Sequence, residues 1–367
     1  MRIALLYGSK SCEHEISILS TLQLMKHFKN DEILLIYISK DNKFYIGNKL
    51  KEYNFYKNIK LNQLKEITFI NKENELNIKI KNTLKYIPID MIFPILHGSY
   101  GEDGCIQGYL ELLNIPYAQS NLTTCALCMD KELTKQICIL NNIPTLEYEV
   151  LTKYQVLSNL ECIDHIHIEK PWIIKPARLG SSIGINIINN HEINKIIESL
   201  TFDNKIIIEH KLSNNKEYNI AILGDEHEQI LSNIEEVQIN DDYYTYTDKY
   251  GGSTVKQQPT TRILNPILDI HLENEIKEMA CKAFKTFHCK GVVRFDFLFE
   301  DKLYLNEINV IPGSYSIYLF KNIMEPSQII ETLKNIALSE YKKNNQMIKT
   351  LDSTIFKNNW NQYQLKK

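Results

Sequence analysis

The chain has 367 residues, 44% apolar and 24% charged, with a formal net charge of −3 and a pI near 6.4. That length provides for two or three domains of about 100–200 residues each and for a sizeable core. The charge balance argues against the basic face that nucleic-acid binding needs, though not against a local basic pocket for a small anion.

The first apolar run, "MRIALLYG", ends in glycine and charge. It is too short for a signal-peptide core, and no stretch approaches a membrane span, so a cytoplasmic protein without membrane partners is expected. "MRIALLYG" reads as a strand, and "HEISILSTLQLMKHF" as a helix with apolar spacing at Ile16, Leu19, Leu22 and Met25. "EILLIYIS" is a strand, residues 41–89 suggest a hairpin and loops, "MIFPILHG" is a strand and "CIQGYLELLN" a helix. This alternation predicts a parallel sheet with helices on its faces. One helix is expected through "ALCMDKELTKQICILNN", then strand "PWIIKPA", helix "HEINKIIESL" and strand "KIIIEH". The strands "EYNIAILG" and "HEQILSNIEEVQI" follow. Residues 241–262 are a polar, aromatic-rich loop, and "ENEIKEMACKAFKTFH" is an amphipathic helix. Eight cysteines are spread along the chain, and the single C-x-x-C, Cys125 and Cys128, has no second pair to complete a zinc site. Small buried residues on a helix, kept as reduced thiols, are the expectation.

"RFDFLFEDKLYLNEIN" reads as a hairpin turning at Asp301 and Lys302. That register opposes Asp296 to Glu307 and Arg294 to Asn309, and sends Phe295, Phe297 and Phe299 to the other face. Opposed carboxylates repel, so a cation between them is one explanation; the all-oxygen set suits Mg²⁺. Arg294 would grip a nearby anion. A solvated outer sheet face is the competing explanation.

"WIIKPARLGSSIGI" leads a strand carrying Lys175 into a loop of Gly180, Ser181, Ser182 and Gly184 that offers N–H groups and hydroxyls to an anion. It is not a Walker A loop. "YGSKSCEHEIS" is a strand–turn–helix in which Glu13 either meets an ammonium group or complements the helix dipole. "LHGSYGEDGCIQG" places three glycines before a helix, with His97 either a ligand contact or structural.

In order along the chain, "GSKSCEHEIS", "LHGSYGEDGCIQGYLELLNIPY", "MDKELTK", "IIKPARLGSSIGI", "IIEHKLSNNKEYNIAILGD", "DKYGG" and "RFDFLFEDKLYLNEINVIPGS" resemble the D-alanine–D-alanine ligase family of the ATP-grasp superfamily. The resemblance implies an α/β protein, α+β in its ATP-grasp part. An N-terminal parallel-sheet domain (1–119) would precede a central domain (120–210) and a C-terminal domain (211–345) with lid loop 241–262; residues 346–367 would be a peripheral tail. It implies ATP, Mg²⁺ (two ions, with Mn²⁺ able to substitute), D-alanine as substrate, and a homodimer. The implied reaction joins two D-alanines through an acyl phosphate, for peptidoglycan precursor synthesis.

Residue by residue, Asp296, Glu307 and Asn309 match the metal ligands. Arg294 and the backbone N–H of Gly313 match the group that stabilises the tetrahedral intermediate. Lys131 and Lys175 match the lysines on the ATP phosphates, Glu209 and Leu212 the adenine edge, and Glu217 the ribose contact. Ser181 and Ser182 belong to the loop over the site. Glu13, Ser181 and Tyr250 match a trio around the first D-alanine, and Lys249 and Tyr250 lie in the lid. Tyr250, where relatives making D-alanyl-D-lactate carry Phe, favours an amine acceptor.

The sequence departs from the family after Gly313. Val310 replaces a threonine and "PGSYSIYLFK" is shorter than the family pattern, leaving Ser314 and Ser316 both as candidate contacts for the second substrate's carboxylate. This keeps a D-serine or D-lactate acceptor as an alternative. A different ATP-grasp ligase is opposed by Glu13, "GEDG" and "DKY", and a catalytically inactive nucleotide-binding protein by the filled metal, lysine and arginine positions.

Overall fold

The computed structural model describes residues 1–72, 75–190, 192–238 and 261–353. Among the described residues, seventeen strands form three sheets. The first holds β1 (Arg2–Gly8), β2 (Glu32–Ile38), β3 (Phe44–Ile46), β4 (Lys65–Lys72), β5 (Glu75–Ile80), β6 (Tyr86–Pro88) and β7 (Met91–Pro94), in the order β6-β5-β4-β3-β2-β1-β7. β1 pairs in parallel with β2 and β7, and Ile92 of β7 makes a further parallel bridge to Tyr117; β2 through β6 form an antiparallel meander. The sheet is therefore mixed, and the segment over 41–89 contributes four strands where a hairpin was expected.

β1 is apolar on both faces because both are covered. Ile3, Leu5 and Tyr7 join one buried cluster, while Ala4 and Leu6 join another. Helix α1 (His14–Leu24) covers the first face with Ile18 and Leu24, and α2 (Cys105–Leu112) covers the second with Ile106 and Leu110. Of the predicted stripe, Ile16 is buried and Leu22 and Met25 pack against the core, but Leu19 is exposed, and Ser17, Ser20 and Thr21 are buried beside them. These small polar residues bring the helix against the backbone. The Ser17 hydroxyl accepts from Gly8 N at 2.8 Å and donates to the Ile95 carbonyl.

The single helix expected over 126–142 is two, α3 (Leu122–Met129) and α4 (Lys131–Leu140). Asp130 is extended between them and caps α4, accepting from Glu132 N and Leu133 N at 3.1 and 3.3 Å. Cys125 and Cys128 are buried thiols in α3.

The second sheet, β10-β9-β11-β8, comprises β8 (Tyr148–Thr152), β9 (Trp172–Pro176), β10 (Asn186–Ile188) and β11 (Lys205–His210), all antiparallel. Helices α5 (Lys153–Ser158) and α6 (Ile193–Phe202) pack on it around a separate core that includes Trp172, Ile174, Ile196 and Ile208.

The third sheet contains β12 (Lys216–Gly224), β13 (Gln229–Leu231), β14 (Glu235–Gln238), β15 (Thr261–Leu264), β16 (Gly291–Phe299) and β17 (Leu303–Asn309). Thr261 and Arg262, grouped with the loop by sequence, open β15. Helices α7 (Ile270–Thr286) and α8 (Pro326–Gln346) cover the face bearing Tyr218, Ile220, Phe295 and Phe297. Among the described residues no helix is long and apolar enough to cross a membrane.

Candidate active site

The face of the third sheet turned away from α7 and α8 carries the polar cluster. Arg294 pairs with Asn309 and Asp296 with Glu307 across β16 and β17. The register then shifts by one, so Phe297 faces Leu305 and Phe299 faces Leu303. Asn306 is thus an extra, bulged residue, and the turn holds three residues, Glu300 to Lys302, where two were expected. Phe295 and Phe297 are fully buried as predicted; Phe299 is only partly buried.

Cations answer both opposed carboxylates. Arg294 donates to both oxygens of Asp296 at 2.6 and 2.7 Å, and Asn309 Nδ2 donates to Asp296 Oδ2 at 3.0 Å. Lys131 Nζ lies 3.0 Å from Glu307 Oε1 and donates to the Leu179 carbonyl at 2.6 Å. The break at Asp130 puts Lys131 at the start of α4, facing this cluster. Among the described residues no three His, Cys, Asp or Glu side chains converge as a metal-ligand set. The candidate donors are instead two carboxylates and one amide. Such a set fits Mg²⁺, which is held by one or two carboxylates together with substrate phosphates. Asn309 would turn its amide to present Oδ1.

Beside the cluster, a cleft runs between the second and third sheets. Lys131, Lys175, Ser182, Leu212, Glu217, Asp296, Asn306 and Glu307 line it, with Ile173 and Leu298 as apolar walls. Lys175 Nζ is 3.1 Å from Asn306 Oδ1, a contact the bulge creates, and 2.6 Å from Glu209 Oε2. Lys135 Nζ meets Glu209 Oε1 at 2.5 Å. Glu209 therefore sits behind the cleft rather than on its wall. Burial opposes its charge, yet the two ammonium groups hold its carboxyl at about 2.

A smaller cavity adjoins the cleft and shares Gly180, Glu217 and Glu307 with it. Glu13, His97, Ser181, Arg294, Asn309 and Gly313 line it too. β1 delivers Glu13 through a turn at Gly8 (φ +98), where a Cβ would lie 2.3 Å from the Ile38 carbonyl oxygen and only glycine fits. The Ser181 hydroxyl donates to Glu13 Oε1, from a loop in which Ser181 and Ser182 are left-handed (φ 53 and 58). His97 is buried, its ring 2.9 Å from Ser20 Oγ, and burial lowers its pKa to about 4, so it is neutral. The Gly313 backbone is open: a Cβ there would meet nothing within 4 Å.

The two serine candidates separate. Ser316 is fully buried, its hydroxyl has no partner among the described residues, and it is not part of the described lining of the cavity. Ser314, partly exposed, donates to Gln23 Oε1 at 2.5 Å. Ser314, Tyr315 and Ser316 are all left-handed (φ 47, 54 and 46), and the Tyr315 hydroxyl pins the run by donating to the Pro94 carbonyl at 2.9 Å. Lys249 and Tyr250 lie outside the described residues.

Four residues at the site escaped the sequence reading: Lys135, Asn306, Arg262 and Glu102. Glu102 lines the cavity, accepts from Gly98 N at 2.8 Å, and has its pKa pushed up to about 8 by burial and by the charge of Glu13. Its signal was the "GEDG" stretch, which the sequence reading takes as a glycine-rich helix start and as a family mark without assigning Glu102 a role.

Comparison with known proteins agrees with this layout. The family model described as D-ala D-ala ligase N-terminus matches residues 2–120, and D-ala D-ala ligase C-terminus matches 138–333. A D-alanine–D-alanine ligase of Thermosipho melanesiensis is 36% identical over 97% of this chain and 98% of its own. The solved D-alanine-D-alanine ligase from Coxiella burnetii superposes with a TM-score of 0.78 at 25% identity, covering 94% of this chain and 96% of its own. The VanG D-Ala:D-Ser ligase from Enterococcus faecalis gives 0.76 at 25% identity, covering 92% and 99%. Two matched domains and a near-full-length relative lead to one conclusion: this chain belongs to the D-alanine–D-alanine ligase family.

Proposed function

We propose that the protein is a cytoplasmic, ATP-dependent ligase that joins two D-alanines into D-alanyl-D-alanine for peptidoglycan precursors. The observation that carries this reading is the shared wall. A cleft bearing Lys131 and Lys175 and a cavity bearing Glu13 and Arg294 meet at Glu307, so a nucleotide and an amino acid can occupy adjoining sites. Residues 1–119, 120–210 and 211–345 act as N-terminal, central and C-terminal domains, with 241–262 as lid and 346–367 as tail. The working form is a homodimer.

The first D-alanine sits with its ammonium toward Glu13, which Ser181 orients and to which Tyr250 contributes. Its carboxylate oxygen attacks the γ-phosphorus of ATP; ADP leaves and an acyl phosphate remains. Lys131 and Lys175 neutralise phosphate charge, Ser182 covers the phosphates, and Leu212, Glu217 and the Glu209 strand edge hold the nucleoside. Asp296, Glu307 and Asn309 would hold two Mg²⁺ ions, with Mn²⁺ able to replace them; the metal supplies charge neutralisation on the phosphoryl oxygens. The amine of the second D-alanine then attacks the acyl carbon. Arg294 and the Gly313 N–H stabilise the oxyanion, phosphate leaves, and the amine loses a proton. Lys249 and Tyr250 close the lid against water, which would otherwise hydrolyse the acyl phosphate.

The test is phosphate release from ATP and Mg²⁺ with D-alanine, alone and against D-serine and D-lactate, with products identified by mass spectrometry. D-alanyl-D-alanine should dominate. A mixed product would move the reading to another acceptor, and no D-alanine-dependent phosphate release would overturn it.

A further inference from the structure

We propose that His97 and Glu102 are positioning residues for the oxyanion site: they hold the backbone of Ile311 by its carbonyl and its N–H, and so aim the N–H of Gly313 at the reacting carbonyl. This rests on the ligase reading above. All four residues line the smaller cavity. A hydrogen bond that favours imidazolium comes from an acceptor, and one that favours carboxylate comes from a donor. The Ile311 backbone does the first for His97 and the second for Glu102, so its carbonyl accepts from the His97 ring and its N–H donates to the Glu102 carboxyl. Glu102 also accepts from Gly98 N at 2.8 Å, which ties the carboxyl to its own loop. The loop between β7 and α2 thus grips the segment that leaves β17.

The far side of Gly313 is held as well. A neutral imidazole has one N–H. Given to the Ile311 carbonyl, it leaves Nε2, 2.9 Å from Ser20 Oγ, to accept from that buried hydroxyl. Ser20 Oγ in turn accepts from Ser314 N at 3.3 Å. Between the two grips, Tyr315 N donates to the Pro312 carbonyl at 2.7 Å. That carbonyl and the Gly313 N–H belong to one planar trans peptide and point in opposite directions. Fixing the carbonyl therefore turns the N–H the other way.

Gly313 opens a 3₁₀ segment (Gly313–Phe320), where the first N–H has no acceptor within the segment. A Cβ there would meet nothing within 4 Å, so a ligand can approach this backbone. An oxyanion donor is effective when it needs no reorganisation as charge develops. The left-handed residues that follow, Ser314 to Ser316, store backbone strain and persist only where their surroundings hold them. With the grips at Ile311 and Ser314 loosened, this turn relaxes and carries the Gly313 N–H with it. His97 and Glu102 then matter to the reaction without touching the substrate.

The experiment measures phosphate and D-alanyl-D-alanine together, from ATP, Mg²⁺ and D-alanine, in wild type, His97→Leu, Glu102→Met, Glu102→Gln and Ser20→Ala. Wild type should release one phosphate per dipeptide. His97→Leu and Glu102→Met should slow dipeptide formation about tenfold to a hundredfold, since a misplacement of about 1 Å can cost 10²-fold. Phosphate release should slow less, so phosphate per dipeptide rises above one as stranded acyl phosphate is lost to water. KM for ATP should stay unchanged. Glu102→Gln keeps a carbonyl acceptor and should recover part of the loss, and Ser20→Ala should show a smaller uncoupling of the same kind. A merely structural defect lowers phosphate and dipeptide together and leaves their ratio at one. If melting curves show His97→Leu and Glu102→Met to be unfolded, the ratio in Ser20→Ala decides. Wild-type rates, or slower rates with the ratio fixed at one, overturn the assignment. A wild type that releases no phosphate with D-alanine defeats the ligase reading instead.

Discussion

Asp296 and Glu307 stand directly opposite each other on neighbouring strands, and each is met by its own cation, Arg294 and Lys131. Replacing either acid would remove one of the proposed metal ligands while stranding a basic group in the cleft. Asp296→Asn and Glu307→Gln should each lower D-alanine-dependent phosphate release by about 10²–10³-fold, the scale of a lost preorganised electrostatic contact. Melting temperatures should stay within a few degrees of wild type; near-normal turnover in either variant would refute the ligand assignment.

Glu209 balances two buried lysines, Lys135 and Lys175. Glu209→Gln leaves two ammonium groups without their carboxylate and should cost roughly 3–5 kcal/mol in a urea titration. The folded pKa of about 2 lies below the ordinary 4.5, so this carboxylate's contribution is complete above pH 4.5 and is lost as pH falls toward 2. The variant should lack that acid-labile share of stability.

His97 behaves oppositely in charge but alike in pH. Its folded pKa of about 4 lies below 6.5, so the unfolded chain binds more protons between those values. Stability from this group is complete above pH 6.5 and declines as pH falls toward 4. His97→Gln should flatten the fall in urea midpoint between pH 7 and pH 5; an unchanged slope would mean another group carries it.

Ser316 combines a left-handed backbone with a buried hydroxyl that has no partner among the described residues. Glycine relieves both, and Ser316→Gly should stabilise the fold by about 1 kcal/mol in spite of the extra backbone freedom of the unfolded chain. Tyr315→Phe should destabilise it by a similar amount through the lost bond to the Pro94 carbonyl. A destabilised Ser316→Gly protein would show that the packing of the serine outweighs the strain.

Local periodicity made most strands legible, because a run such as "KIIIEH" or "EYNIAILG" has few other ways to bury its side chains. On α1 it found Ile16, Leu22 and Met25 but not the buried Ser17 and Ser20, which no hydrophobic count registers. The break at Asp130 was hidden because acidic residues occur both as caps and on helix surfaces, and only the extended backbone tells them apart. In the hairpin, the pairings of Arg294 with Asn309 and of Asp296 with Glu307 came out as expected through two compensating differences, a longer turn and the bulge at Asn306. A bulge leaves no mark in alternation when the extra residue is polar among polar neighbours. Lys135 and Arg262 reach the site region from helix α4 and from a strand far along the chain, which only the assembled sheets reveal.

Glu307 forms part of two walls at once, and Lys131, which meets it, lines only the larger cleft, the one proposed for the nucleotide. A polyphosphate that draws Lys131 away alters the charge felt in the neighbouring cavity, and an amino acid there alters the charge felt by the phosphates. Thermodynamic reciprocity then requires the two ligands to change each other's affinity by one common factor. A calorimetric titration of D-alanine with and without a non-hydrolysable nucleotide, and the converse titration, would return the same number.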